Sequence, residues 1–171
     1  MTWLWFAMLT VAMWGSYGVL LHTGQVAMGD PEHGRYKAFL IVGISYFLVA
    51  VLAPAVFLLL SKSDWHFTAK GFGWSLIAGI AGAIGAFGVI LAFGAKGTPP
   101  VVMAIIFGGA PIVNAIVAIL WHPPAGGFSA IRWQFVAGIL LVAAGGAMVM
   151  LFRPPPGPAK HPAEQVVAKA E

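Results

Sequence analysis

The sequence predicts an all-α membrane protein, a bundle of five transmembrane helices. Three observations lead there. Of 171 residues, 60% are hydrophobic and only 8% are charged, against roughly 25% charged in an ordinary soluble domain. The mean hydropathy is +0.92. The few charges fall between long apolar runs or in the final segment, so the runs themselves are free of Asp, Glu, Lys and Arg. A water-facing surface cannot be assembled from this supply. The net charge of +4 is spread along the chain and forms no basic stripe, so nucleic acid is not an expected partner. The bilayer is.

A hydrocarbon core of about 30 Å takes roughly 20 apolar residues in helical form. Five stretches meet that length: Thr2–Leu21, Ala38–Leu60, Phe72–Ala95, Pro99–Trp121 and Trp133–Phe152. They make residues 1–152 a five-helix transmembrane domain. No ten-residue alternation of a membrane barrel is present, so helices satisfy the backbone in lipid. Trp3, Trp5, Trp65, Trp74, Trp121 and Trp133 stand near the expected interfaces, where amphipathic rings are favoured. The first span has no charged segment before it and no small-residue cleavage pattern, so it reads as a retained helix.

Residues 153–171 form a Pro-rich, polar C-terminal tail, in which Pro154, Pro155, Pro156, Pro158 and Pro162 oppose a continuing helix. Five spans put the termini on opposite sides. One side carries Arg35, Lys37, Lys96, Arg153 and Lys160 near the membrane, the other Lys62, Lys70 and Arg132. The excess predicts a cytoplasmic C-terminus, in a bacterial inner membrane.

Close packing is expected at small residues, because helices in lipid associate through backbone approach and hydrogen bonds. Gly79, Gly82 and Gly85 line one side of the third span, and Gly145 and Gly146 interrupt the fifth. Gly82→Leu is accordingly expected to damage folding. Pro54 and Pro111 each remove a helix donor. Around Pro111, Gly108, Gly109 and Asn114 form the loosest and most polar stretch at membrane depth, and interrupted helices at that depth build transporter sites. Trp14, Ser16 and Tyr17 are the corresponding polar and aromatic group of the first span. These six residues are the substrate-path candidates.

No catalytic residues and no enzyme activity are expected. Cysteine is absent. The histidines lack metal-ligand spacing, no phosphate-binding Gly-Lys-Ser/Thr loop occurs, and no metal or other cofactor is predicted. The spans also lack a carboxylate, which a proton-coupled pump normally needs at depth.

The order of these features is similar to a known family. Met13-Trp14-Gly15-Ser16-Tyr17-Gly18 resembles the Trp-Gly-Ser opening of EamA-like domains in the drug/metabolite transporter superfamily. Gly97-Thr98-Pro99-Pro100 with Pro111 resembles its third-to-fourth helix junction and its proline-containing fourth helix. Gln134-Phe135-Val136-Ala137-Gly138 with Gly145-Gly146 is similar to its fifth helix. The resemblance covers residues 3–152. Members usually carry two inverted five-helix repeats, and this chain supplies one. Where members commonly end the fourth helix with Glu, the sequence reads Trp121-His122-Pro123-Pro124. The resemblance implies a small metabolite transporter unit that acts as a homodimer. The alternative is a non-transporting accessory subunit of a larger membrane complex, contacted through the tail by Arg153, Lys160 and Lys169.

Overall fold

The computed structural model describes residues 2–152, which are helical and contain no strand. The proline-rich segment 153–171, with the contacts expected of it, lies outside the described residues. Five helices are long and apolar enough to cross a membrane: α1 (Thr2–Ala27), α2 (Gly34–Leu60), α3 (Ala69–Gly94), α4 (Pro99–Trp121) and α5 (Trp133–Leu151). The chain is thus an integral membrane protein by length and composition of its helices.

Two helix ends differ from the sequence expectation by four residues or more, and the others by three or fewer. α1 continues past Leu21 to Ala27, and α2 starts at Gly34 instead of Ala38. The polar residues His22, Thr23 and Gln25 ended the apolar count, but none of them stops a helix. They prolong α1 beyond the apolar run, until Gly29 turns the chain at φ +64°. The connection is therefore six residues, 28–33.

Asp30 organises that connection. Its carboxylate accepts the backbone N–H groups of Glu32 and His33 at 3.1 and 2.8 Å, and Lys37 Nζ donates to it at 2.6 Å. The Lys37 hydrogen bond, with the His33 N–H and the Lys37 charge behind it, holds the Asp30 pKa down at about 2. The folded value lies below the unfolded one, near 3.9. The contribution to stability is therefore complete above pH ~4 and is lost as pH falls through about 2. In an NMR titration the Asp30 carboxyl should titrate near 2, and in Lys37→Gln it should move up towards the ordinary value.

The α2–α3 and α3–α4 connections use one device. After α2, Lys62 adopts φ +52°, and after α3, Lys96 adopts φ +69°. Ser63 N–H then donates to Leu58 O at 3.1 Å, and Gly97 N–H to Ala92 O at 2.9 Å. This is the left-handed cap that satisfies the last carbonyls of a helix. Lysine there also places positive charge at the negative end of the helix dipole. Gly97 is required on its own account, because a Cβ would lie 2.7 Å from Ala92 O and 2.6 Å from Val102 Cγ2.

The two membrane prolines are accommodated differently. Ahead of Pro54, residues Leu48–Leu52 widen so that Ala53 N–H reaches back to Leu48 O. The added backbone length relieves the clash of the proline ring with the preceding turn. α4 instead runs unbroken through Pro111 from Pro99 to Trp121. The segment Gly108–Pro111 is helical, not an interruption.

Packing is concentrated at one end of the bundle. Leu21, Ala38, Val89, Ile90, Phe93, Val102 and Met103 form the buried cluster, with Tyr17, Phe39 and Val42 against it. These residues come from the end of α1, the start of α2, the end of α3 and the start of α4. There Gly18 lies close beneath Met103, and the Arg35 side chain crosses Gly94 with its guanidinium 4.8 Å from the Tyr36 ring centre. Arg35 thus places its charge beside the carbonyl end of α3. At the opposite end, α3 and α4 meet through Trp74 and Trp121, edge to face at 5.4 Å. α5 stands apart. Among the described residues it packs on α4 and on no other helix.

The glycines divide accordingly. A Cβ on Gly146 would stand 3.3 Å from Ala104 O and 3.4 Å from Gly108 Cα, so this glycine sets the α4–α5 approach. Gly79, Gly82, Gly85 and Gly145 have nothing within 4 Å of a Cβ position. The expectation that Gly82→Leu damages the fold therefore does not hold for the single chain, where the new side chain enters open space. α3 buries side chains against its neighbours in the turns beyond, from Ala86 to Phe93, and meets α4 again at Trp74.

Candidate functional site: two clefts between neighbouring helices

The α4–α5 hairpin has one glycine contact and one open space. Its helices touch at Gly108 and Gly146, where a Cβ on Gly108 would lie 3.5 Å from Gly146 Cα. From Pro111 towards the connecting loop, side chains of both helices line one open space. The space between them has a volume of about 940 Å³, at the upper end of the range typical of small-molecule sites. Ala115, Ala118, Ile119, Phe135, Gly138 and Ile139 form apolar walls, Asn114 stands inside, and His122, Arg132 and Gln134 form a polar rim. The loop folds over that end through Pro124, Ala130 and Ile131. It can do so because Gly126 and Gly127 take φ +97° and +70°, a conformation costly for other residues. No acidic side chain lines the cleft.

A second cleft, about 370 Å³, separates α1 from α2 and is lined by Tyr17, Leu20, Gly24, Ile41, Ser45 and Tyr46. Trp14 packs on Tyr17 with ring centres 5.8 Å apart. The hydroxyls here are largely engaged locally. Ser16 Oγ donates within α1, to Ala12 O at 2.9 Å or to Met13 O at 3.1 Å, and Ser45 Oγ donates to Ile41 O at 3.0 Å. Such bonds return the serine proton to the helix and leave only acceptor capacity for a ligand. The shielded Tyr17 hydroxyl lies beside Tyr46.

The six substrate-path candidates therefore form two groups. Trp14 and Tyr17 meet beside the α1–α2 cleft, with Ser16 next to them in the chain and exposed. Asn114 lies in the α4–α5 cleft, Gly108 forms its closed end, and Gly109 follows with no close neighbour at its Cβ position. The structure does not join the two groups into one passage within a single chain. It adds His122, Arg132 and Gln134, which the sequence reading had as a residue at the end of the fourth span, a loop charge and the start of the fifth-helix motif, and not as site residues. Their signal was the short link between the fourth and fifth spans. Two antiparallel helices joined by a short loop must bring the end of one beside the start of the other.

Compared with protein-family models, curated proteins and solved structures, the chain matches none of them.

Proposed function

We propose that this chain is one five-helix unit of a small membrane transporter that works as a dimer and moves a small amphiphilic metabolite. The observation that supports it best is the cleft between α4 and α5, apolar along its walls, with Asn114 within and a polar rim. A site of that composition suits a solute that is partly hydrocarbon and partly hydrogen-bonding. The EamA-like resemblance supports the same reading, since one repeat requires a second to complete a ten-helix transporter. In this reading two copies pair in a bacterial inner membrane, with their C-termini on the cytoplasmic side. The Trp14–Tyr17 group of one unit and the Asn114 group supply the polar contacts along the route. Binding and release, not protonation of a membrane-embedded carboxylate, drive the cycle, because the spans hold no such group.

The test is reconstitution of the full chain into vesicles, with native mass measured on the extracted particle. A dimer is expected, with flux of an amphiphilic solute. Asn114→Ala should leave the mass unchanged and slow flux by up to about tenfold, the value of one hydrogen bond at a desolvated site. A monomeric particle and no flux over a broad panel would remove the proposal.

The uncovered side of α3 at Gly79, Gly82 and Gly85 favours a second reading, an accessory subunit docked in a larger membrane complex. Extraction in mild detergent separates the two. The accessory role predicts co-purifying subunits of different sequence, and the transporter role predicts copies of this chain alone.

A further inference from the structure

We infer that the occupant of the α4–α5 cleft is a single-chain anionic amphiphile, a long-chain carboxylate, entering sideways from one leaflet. The inference rests on the transport reading above and specifies its substrate class. Length is the first argument. From Arg132, which caps α5 at the rim, to Val142 at the closed end is ten residues along the chain, about 15 Å at 1.5 Å per residue. That is about half of the 30 Å hydrocarbon core, so the slot spans one leaflet and accepts an acyl chain lying parallel to its neighbours in the bilayer.

The walls are the second argument. Below the rim only Asn114 is polar among Ala115, Ala118, Phe135, Gly138 and Ile139, and a hydrocarbon chain asks for nothing more. α5 has no helical neighbour besides α4 among the described residues, so the slot opens laterally to lipid.

The rim selects the head. Arg132 has no acidic partner among the described residues, whose ion pairs all involve Asp30 or Glu32 at the other end of the bundle. A guanidinium presents a planar fork that matches a carboxylate in two parallel hydrogen bonds. His122 and Gln134 add donors beside it. Trp121 and Trp133 flank these residues in the chain and fix the rim at the depth where lipid headgroups begin. The loop residues Pro124, Ala130 and Ile131 crowd this end, which favours a head as small as a carboxylate over a bulky one.

The experiment is photolabelling of the full chain in zwitterionic nanodiscs with a hexadecanoate bearing a diazirine on its chain, mapped by mass spectrometry. Labels should concentrate on cleft-facing residues of α4 and α5. Unlabelled hexadecanoate should compete, and hexadecanol and hexadecyltrimethylammonium should compete at least tenfold less well. Arg132→Gln should reduce labelling about tenfold, as expected for a charge-assisted pair, and Arg132→Lys should retain more of it. Gly138→Leu, whose side chain enters open space at the wall, should abolish labelling without unfolding the protein.

Labels scattered over all five helices, or labelling indifferent to Arg132→Gln and Gly138→Leu, would overturn the inference. Phosphatidylglycerol displacing the probe better than hexadecanoate would overturn it in favour of a bilayer phospholipid. Confined labelling without hexadecanoate flux would support the occupant while removing transport. Flux of another solute with scattered labelling would remove the occupant and leave transport standing.

Discussion

Gly146→Leu is expected to push α5 off α4 and to lower the unfolding free energy by about 1–3 kcal/mol, the usual cost of forcing methylenes into a closed contact. The groups in the way are backbone. A Cβ at this position meets Ala104 O at 3.3 Å and Gly108 Cα at 3.4 Å, and neither can rotate aside as a side-chain tip would. In most bundles a helix displaced from one neighbour is retained by others. α5 has only α4 among the described residues, so the whole helix responds. Gly146→Ala should be mild, because a methyl at 3.3 Å needs a shift of only a few tenths of an ångström. Gly145→Leu is the control, since nothing lies within 4 Å of its Cβ position. Unfolding by a denaturing detergent, followed by tryptophan fluorescence, should rank Gly146→Leu well below the wild type and leave Gly145→Leu beside it. Both substitutions gain helix propensity, so equal loss in both variants would mean that the α4–α5 contact at Gly146 does not set the response.

The two glycines also show how far the sequence could be read. The number and order of helices were legible because charge is excluded from hydrocarbon, a rule that acts locally and leaves its record in runs of residues. The ends were less legible. Polar residues such as His22 and Gln25 mark where hydrocarbon stops, but a helix can continue into the interface, as α1 does to Ala27. Contacts were least legible. Gly79, Gly82, Gly85 and Gly146 look alike as small residues suited to close approach, yet only Gly146 meets another helix in the single chain. Composition states that a face can be approached. It does not state what approaches.

The same distinction holds for the candidate site. Asn114 was conspicuous because a carboxamide deep in a span needs a reason to be there. Arg132, His122 and Gln134 were not, because polar residues at span ends are ordinary. Their meaning comes from placement, since all three line the same space between α4 and α5. Small residues close one end of the hairpin and the glycine turn at Gly126–Gly127 shapes the other. The cleft is thus a consequence of helix geometry that no single motif records.

Ile90→Ala is expected to give the largest loss of stability in the α1–α4 bundle. Ile90 is completely buried, at 0% exposure, in the cluster where the ends of α1 and α3 meet the starts of α2 and α4. In a water-soluble core such a truncation costs about 2–5 kcal/mol. Part of that is transfer of the side chain from water, which contributes little where the competing environment is lipid. The remainder, the cavity and its lost dispersion contacts, amounts to about 1–3 kcal/mol. Ile84→Ala on the same helix is the paired control, because Ile84 is 66% exposed and faces no packed neighbour. Both substitutions remove the same atoms and both gain helix propensity, so their difference isolates packing at the closed end. In a denaturing-detergent titration Ile90→Ala should unfold earlier by the stated amount and Ile84→Ala should be near the wild type. If the two variants behave alike, the buried cluster does not hold the bundle together. The weight would then rest on contacts that a single chain lacks, such as those made by a second copy along α3.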